Sequence, residues 1–148
     1  MMDRALAKKK KAAQLPDPVE PKHPRVKSFK MIFVVNAKLK MEAQTVSVQL
    51  GVATEGCHQA ARRSAQGAAA LDCWGQEGSK KVVLQAKDTE HLVALDKAAG
   101  KRRGLCTCLV QVDEHTKLKS GSTTVLGLFG EAEQVEAVTK DLKLLWPL

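Results

Sequence analysis

The residues best suited to acid–base chemistry lie in one polar stretch, residues 113–124, between two apolar runs. Asp113 stands where an apolar run gives way to polar residues, and hydroxyl groups follow at Thr116 and Thr124. A carboxylate in this position could accept a proton or orient a water molecule, with a threonine hydroxyl assisting. The alternative is that Asp113 caps the turn by bonding its own backbone, the usual role of aspartate at such sites. From these residues alone, the capping role is the better supported of the two.

Other candidate groups form weaker patterns. His115 and His58 could act as bases, but neither has a recognisable partner in the sequence, which favours exposed surface histidines. The pair Gly121-Ser122 could offer backbone N–H groups to a phosphate, although two residues are a weak signal. The sequence contains no phosphate-binding P-loop, no dinucleotide-binding fingerprint, no nucleophile elbow and no zinc-ligand spacing.

The net charge of +8 is concentrated near the N-terminus, where residues 1–30 hold nine Lys or Arg against three acidic residues. The rest of the 148-residue chain therefore carries only +2. A basic leader adds salt-sensitive attraction to RNA or acidic surfaces, and a merely solvated, disordered leader explains the same composition equally well. With no Tyr, three Phe and two Trp, the chain has few rings to stack on single-stranded bases, so any RNA contact would be electrostatic.

The four cysteines, Cys57, Cys73, Cys106 and Cys108, show no paired framework, and a chain of this length needs no disulfides. We expect them to be small buried hydrophobic residues in a reducing compartment, with no metal site. No run of 18 apolar residues exists, and no apolar segment follows the first basic residues, so neither a membrane span nor a secretion signal is expected. These features together predict a cytoplasmic protein.

Residues 1–28 are predicted to be a disordered Lys- and Pro-rich tail, because four prolines between residues 16 and 24 oppose regular structure, and residues 29–148 a folded domain. Apolar, β-rich runs predict four strands, at residues 30–36, 81–86, 105–112 and 124–129. Helices are predicted at residues 43–60, from residue 65 until a loop holding Trp74, between an Asp88 N-cap and Gly104, and at residues 131–144. This alternation predicts α/β layers around a small sheet.

The order and the amino-acid sequences of several segments resemble those of one family, the type II peptidyl-tRNA hydrolases of archaea and eukaryotes. The matches cover about residues 29–145 and occur in the right order. They are Lys30-Met31-Ile32-Phe33-Val34-Val35, Leu39-Lys40-Met41, Gln49, Trp74 with Gly78, Lys81-Val82-Val83, Asp113 with Thr116, residues 121–127, and Leu142-Lys143-Leu144. Such a series of matches is more specific than any single motif.

The resemblance implies a fold and an activity. The family's fold is a small mixed four-stranded sheet with helices on both faces, a three-layer sandwich, and its members are commonly homodimers. Its activity is hydrolysis of the ester that joins a peptide to tRNA, without a metal or another cofactor. The implied site consists of catalytic residues Asp113, Thr116 and Thr124, and substrate-binding residues Gln49, Lys40, Gly121 and Ser122.

The sequence departs from the family pattern at two places in the first helix. The family's Gly-Lys-Gly-Lys is here Glu42-Ala43-Gln44-Thr45, so Thr45 replaces an active-site lysine, and Val52 replaces the usual histidine. The loop after Asp113 is also one residue shorter than in the family pattern. A lysine beside Asp113 would keep the carboxylate ionised and stabilise developing negative charge, and loss of one such group typically lowers the rate by about 100- to 1,000-fold.

Two functional hypotheses therefore stand. The first is a divergent peptidyl-tRNA hydrolase, in which Lys38 or Lys40 could supply the missing cation. The second is a catalytically inactive family member that binds tRNA or a protein.

Overall fold

The computed structural model describes residues 27–112 and 118–146, which contain five strands and four α-helices. The strands are β1 (Phe29–Asn36), β2 (Lys81–Ala86), β3 (Cys106–Gln111), β4 (Thr123–Glu131) and β5 (Lys143–Leu144). The helices are α1 (Ala43–Ala61), α2 (Ala65–Gln76), α3 (Thr89–Gly100) and α4 (Ala132–Thr139). A 3-10 turn, Ala37–Leu39, joins β1 to α1. The predicted tail lies almost wholly outside the described residues.

The five strands form one mixed sheet in the order β3-β4-β1-β2-β5. β1 is parallel to β2, and the other three pairings are antiparallel. The α/β class and the four predicted strands are confirmed, but the expectation of a four-stranded sheet is wrong. The additional strand, β5, pairs Leu144 with Leu84 and lies within the stretch predicted as the closing helix. That helix ends at Thr139, and a two-residue edge strand is too short to show an alternating pattern.

Hydrophobic residues of β1 alternate between two buried clusters, since successive side chains of a strand point to opposite faces. Met31, Phe33 and Val35 pack in a cluster with residues of α1 and α2. Ile32 and Val34 pack in a second cluster with residues of α3 and α4. Burial on both faces explains why this strand is continuously apolar instead of alternating.

Helix α1 lies close to the sheet because two glycines leave space for it. A Cβ atom added to Gly127 would come within 2.8 Å of Cys57 Sγ, and one added to Gly56 would collide with Cys108. The buried residues of α1 are Val46, Gln49, Ala53, Cys57 and Ala61. Gln49, although polar, therefore lies on the face of α1 that packs against the sheet.

Two local predictions about helix boundaries need correction, and one is confirmed. Trp74 lies within α2 instead of a loop; it is buried, and its Nε1 donates to Lys80 O at 2.9 Å. Helix α3 ends at Gly100, before Gly104, which instead adopts φ +77° in the turn that leads to β3. The Asp88 N-cap is confirmed, since its side chain accepts from His91 N at 2.9 Å. Among the described residues, no helix is long and apolar enough to cross a membrane.

Candidate active site

Thr124 and Gln49 form a buried hydrogen bond where α1 crosses β4. The Thr124 hydroxyl donates to Gln49 Oε1 at 2.8 Å, and lies at the longer distance of 3.4 Å from Val110 O. Thr124 is 0% exposed and Gln49 is 4% exposed. This bond makes Gln49 Oε1 an acceptor and so fixes the orientation of the Gln49 amide.

Asn36 ties together the elements around this pair. Its Nδ2 donates to Thr123 O at 2.8 Å and to Thr89 Oγ1 at 3.1 Å, and its Oδ1 accepts from Lys38 N at 3.1 Å. These bonds join the end of β1 to β4, α3 and the 3-10 turn. Asn36 is not among the predicted site residues, although a polar residue at the end of a buried apolar strand was a usable signal.

The 3-10 turn before α1 holds Lys38 and Lys40, the two lysines proposed from the sequence as sources of the family's cation. Lys40 has φ 48° and ψ 46°, a left-handed conformation that is uncommon for a residue with a side chain. Lys38 and Lys40 are both exposed. Thr45 lies half-buried in the first turn of α1, one helical turn before Gln49, while Val52 is 48% exposed on the same helix.

The loop after β3 is closed by a tight turn. Gly121 has φ +85°, its N–H donates to Val112 O at 3.0 Å, and Val112 N donates to Ser122 O at 3.0 Å. These bonds hold Val112, the residue before Asp113, beside the start of β4. Ser122, which accepts one of them, is two residues before Thr124 in the chain. Ser122 N donates to Lys119 O at 3.1 Å, so both backbone N–H groups proposed for a phosphate are engaged within the turn. A phosphate contact from this turn would therefore rest on the Ser122 hydroxyl.

Three of the predicted polar groups, Asp113, His115 and Thr116, lie outside the described residues. His58, the other candidate base, is half-buried, and its ring contacts Trp74 edge-on with centroids 5.6 Å apart. It is nine residues beyond Gln49 on α1, about 13 Å along the helix. His58 therefore packs α1 against α2 and does not belong to the Thr124 site.

The cysteines are less uniformly buried than predicted. Cys57 is buried, Cys106 and Cys108 are half-buried, and Cys73 is exposed. Burial raises the pKa of the Cys57 thiol to about 12, and the neighbouring thiols of Cys108 and Cys106 add to the rise. Burial likewise raises the pKa of Cys106 and Cys108. Within the part of the chain that the structure describes, no three His, Cys, Asp or Glu residues converge as metal ligands.

The raised pKa of Cys57 predicts a stability that declines in alkaline solution. The thiol ionises near its ordinary pKa of 9.0 in the unfolded chain but near 12 in the folded protein. Its contribution is therefore fully present below pH 9 and is lost between pH 9 and 12, by up to about 1.4 kcal/mol per pH unit. Urea unfolding at several pH values should show a shallower alkaline decline for Cys57→Ala than for the wild type.

The matched control for this measurement is Cys73→Ala, since the Cys73 side chain is exposed and its removal leaves the buried thiols in place. This variant should keep the wild-type dependence on pH. Equal alkaline slopes for Cys57→Ala and the wild type would contradict the assignment to Cys57.

A model of the family described as peptidyl-tRNA hydrolase PTH2 matches residues 29–145. The chain belongs to this family. The match spans every strand and helix of the structure, together with the Thr124–Gln49 pair and the turn at Gly121. The family resemblance drawn from the sequence segments is thus confirmed.

Individual relatives support the same assignment. A protein from Caenorhabditis elegans named probable peptidyl-tRNA hydrolase 2 is 41% identical over 80% of this chain, but the match covers only 37% of that protein. The peptidyl-tRNA hydrolase of Methanopyrus kandleri is 39% identical over 79% of this chain and 98% of its own length. The human protein named peptidyl-tRNA hydrolase 2, mitochondrial, is 39% identical over 78% of this chain and 64% of its own length. The matched region is therefore nearly a whole archaeal protein but only part of the worm and human proteins.

Proposed function

We propose that this chain hydrolyses the ester bond of peptidyl-tRNA, slowly, on a three-layer α/β fold. The observation that carries the proposal is the buried bond from Thr124 to Gln49, beside a turn that holds Val112 next to the start of β4. Burial of a polar pair is costly unless its members are hydrogen-bonded, and this bond holds the Gln49 amide in one orientation. Family membership supplies the substrate class.

In the proposed mechanism, Asp113 orients a water molecule and takes its proton as the water oxygen attacks the ester carbonyl. The carbonyl carbon gains the water oxygen and loses the 3′ oxygen of the tRNA ribose, which receives the proton from Asp113. Gln49 Nε2 donates to the developing oxyanion, with the Thr124 hydroxyl fixing the amide, and Thr116 contributes a second hydroxyl. The products are a peptide carboxylic acid and deacylated tRNA.

The reaction is expected to be slow because a neutral side chain, Thr45, stands in the first turn of α1 where the family pattern has a lysine. Substrate contacts are assigned to Lys40 and to the Ser122 hydroxyl, which the turn at Gly121 presents, and the exposed Lys40 is the cation that best compensates. The same proposal includes a cytoplasmic location, homodimerisation and independence from cofactors, all taken from the family resemblance and the composition. One relative's name specifies mitochondria, so location is a separate question from catalysis.

A second candidate function is a binding module without catalysis, and one observation favours it. Val48 and Val52 are 60% and 48% exposed one helical turn apart on α1, on the helix that should carry the family's cation and histidine. This exposed apolar pair suits a protein partner better than a phosphate.

The decisive test is single-turnover cleavage of a defined peptidyl-tRNA by micromolar protein, compared with the rate without protein. We expect a small excess rate that falls to the background in the Asp113→Asn variant. An amide-linked analogue of the substrate should resist cleavage under the same conditions. Absence of any excess rate, or the same rate from Asp113→Asn, would favour the binding module.

A further inference from the structure

Six exposed cationic side chains occupy the C-terminal ends of α1 and α3. Here this set is termed the basic end, and it comprises Arg62, Arg63, Lys97, Lys101, Arg102 and Arg103. Favourable interaction with a helix dipole explains one or two cations in the last turn, because the effect fades within that turn. It does not account for Arg102 and Arg103, which follow the end of α3.

The topology brings both helix ends to one side of the molecule. α1 and α3 begin near Asn36, where β1 ends, and α3 is joined to it through the bond from Asn36 to Thr89. Both helices then run back towards the start of β1. Gly104 O lies 3.1 Å from a Cβ built on Gly130, and Gly130 pairs with Lys30 at the start of β1.

Arg63 reaches the same region from the other face of the sheet. Cys106, the first residue of β3, packs against the buried cluster that contains Ala61, two residues before Arg63. Arg103 lines a surface cleft together with Gln66, three residues beyond Arg63, and with Lys27. The two groups of cations therefore lie at the same end of the sheet.

No cation of the basic end forms an ion pair within residues 27–112 and 118–146. The ion pairs of those residues are Lys27–Glu131 at 3.3 Å and Lys30–Glu136 at 2.9 Å. Two acids lie beside the basic end without pairing with it: Glu131 lines the cleft with Arg103, and Glu55 lines the cleft that holds Arg62. Arg102 donates to Gln134 Oε1 at 2.7 Å, a neutral partner that orients its guanidinium without cancelling its charge.

We infer that the basic end binds the phosphate backbone of double-helical RNA. Clustered Arg and Lys side chains that form no ion pair among the described residues match a regular array of phosphates, and the chain has few aromatic rings for reading unpaired bases. The eight-residue strand β1 separates this surface from the Thr124 site by about 25 Å. A tRNA stem held at the basic end is thus bound by a surface distinct from the one that meets its 3′ terminus.

The experiment measures fluorescence anisotropy of labelled, deacylated tRNA with the full chain, between about 50 and 200 mM salt. Arg62→Ala/Arg63→Ala and Arg102→Ala/Arg103→Ala should each weaken binding about tenfold, and each lost phosphate contact should make the log–log salt slope less negative by about 0.7 to 0.9. The matched control, Lys140→Ala/Lys143→Ala, removes the same charge at exposed positions near the opposite end of the sheet and should bind like the wild type.

Binding of deacylated tRNA requires no ester, so this inference stands or falls separately from hydrolysis. The inference is overturned if both arginine pairs can be removed without loss of affinity for tRNA. It is also overturned if the lysine control loses as much affinity as the arginine variants. If the arginine variants lose as much affinity for polyglutamate as for tRNA, the surface is instead assigned to an acidic protein partner. Unchanged melting temperatures in the variants confirm that the losses arise at the surface.

Discussion

The Thr45→Lys variant is expected to cleave peptidyl-tRNA about 100- to 1,000-fold faster than the wild type in a single-turnover assay, since one electrostatic donor at a developing anion typically has this effect. Position 45 suits the group because it lies half-buried in α1 exactly four residues before Gln49. Residues four apart on a helix are neighbours, so a lysine there extends over the face that holds the Gln49 amide. Its ammonium group would also favour the ionised form of Asp113.

Two matched variants distinguish the effect of the position of the charge on the cleavage rate from the effect of its mere presence. Thr45→Met has a long side chain without a charge and should remain as slow as the wild type. Gln44→Lys introduces the same charge at an exposed neighbouring position and should raise the rate little, because a misplaced catalytic group contributes far less than an aligned one. A Thr45→Lys rate no higher than that of Gln44→Lys would show that another difference silences the site.

Thr124→Val is expected to reduce both stability and activity when placed in the Thr45→Lys background. Valine keeps the shape of the side chain but removes the hydroxyl donor, which leaves Gln49 Oε1 buried without its 2.8 Å partner. The expected loss of unfolding free energy is about 1–3 kcal/mol. Because the amide then loses its orientation towards the substrate, the cleavage rate should fall about 100-fold.

Urea unfolding and single-turnover cleavage of the same variants separate these two effects. Thr139→Val provides the control, since Thr139 is also buried but donates to Val135 O within its own helix, and it should lower stability without changing the rate. If Thr124 acts through Gln49, adding Thr124→Val to Gln49→Leu should cost little further activity. Fully additive losses would mean that each residue contacts the substrate independently.

Much of the secondary structure was predictable because it depends on neighbouring residues. β2 was predicted with its observed bounds, and the buried run of β1 within one residue, because continuous apolar segments bounded by charges have few alternatives. The Asp88 N-cap was also predictable, since the cap bonds a backbone N–H only three residues ahead. Trp74 was wrongly assigned to a loop because glycines and small residues around it weaken the helical pattern, whereas its burial against Phe129 stabilises the helix.

Two residues of the candidate site could be predicted individually, but the contact between them could not. Thr124 and Gln49 were identified through the family resemblance, but no local pattern indicates that a threonine hydroxyl bonds an amide 75 residues earlier in the chain. Asn36, which bonds three different elements, was not predicted as a site residue at all. Contacts of this kind depend on which faces of the elements meet, and short-range propensity carries no information about that.

By itself, the sequence determined the family and the strands and helices that local patterning specifies. The tertiary structure decided that β5 completes the sheet, that Thr124 and Gln49 meet, and that α1 and α3 finish at the same end of the sheet. The physical reason is that charge and hydrophobic periodicity are properties of neighbouring residues. A buried hydrogen bond or a shared charged surface exists only after packing has brought distant segments together.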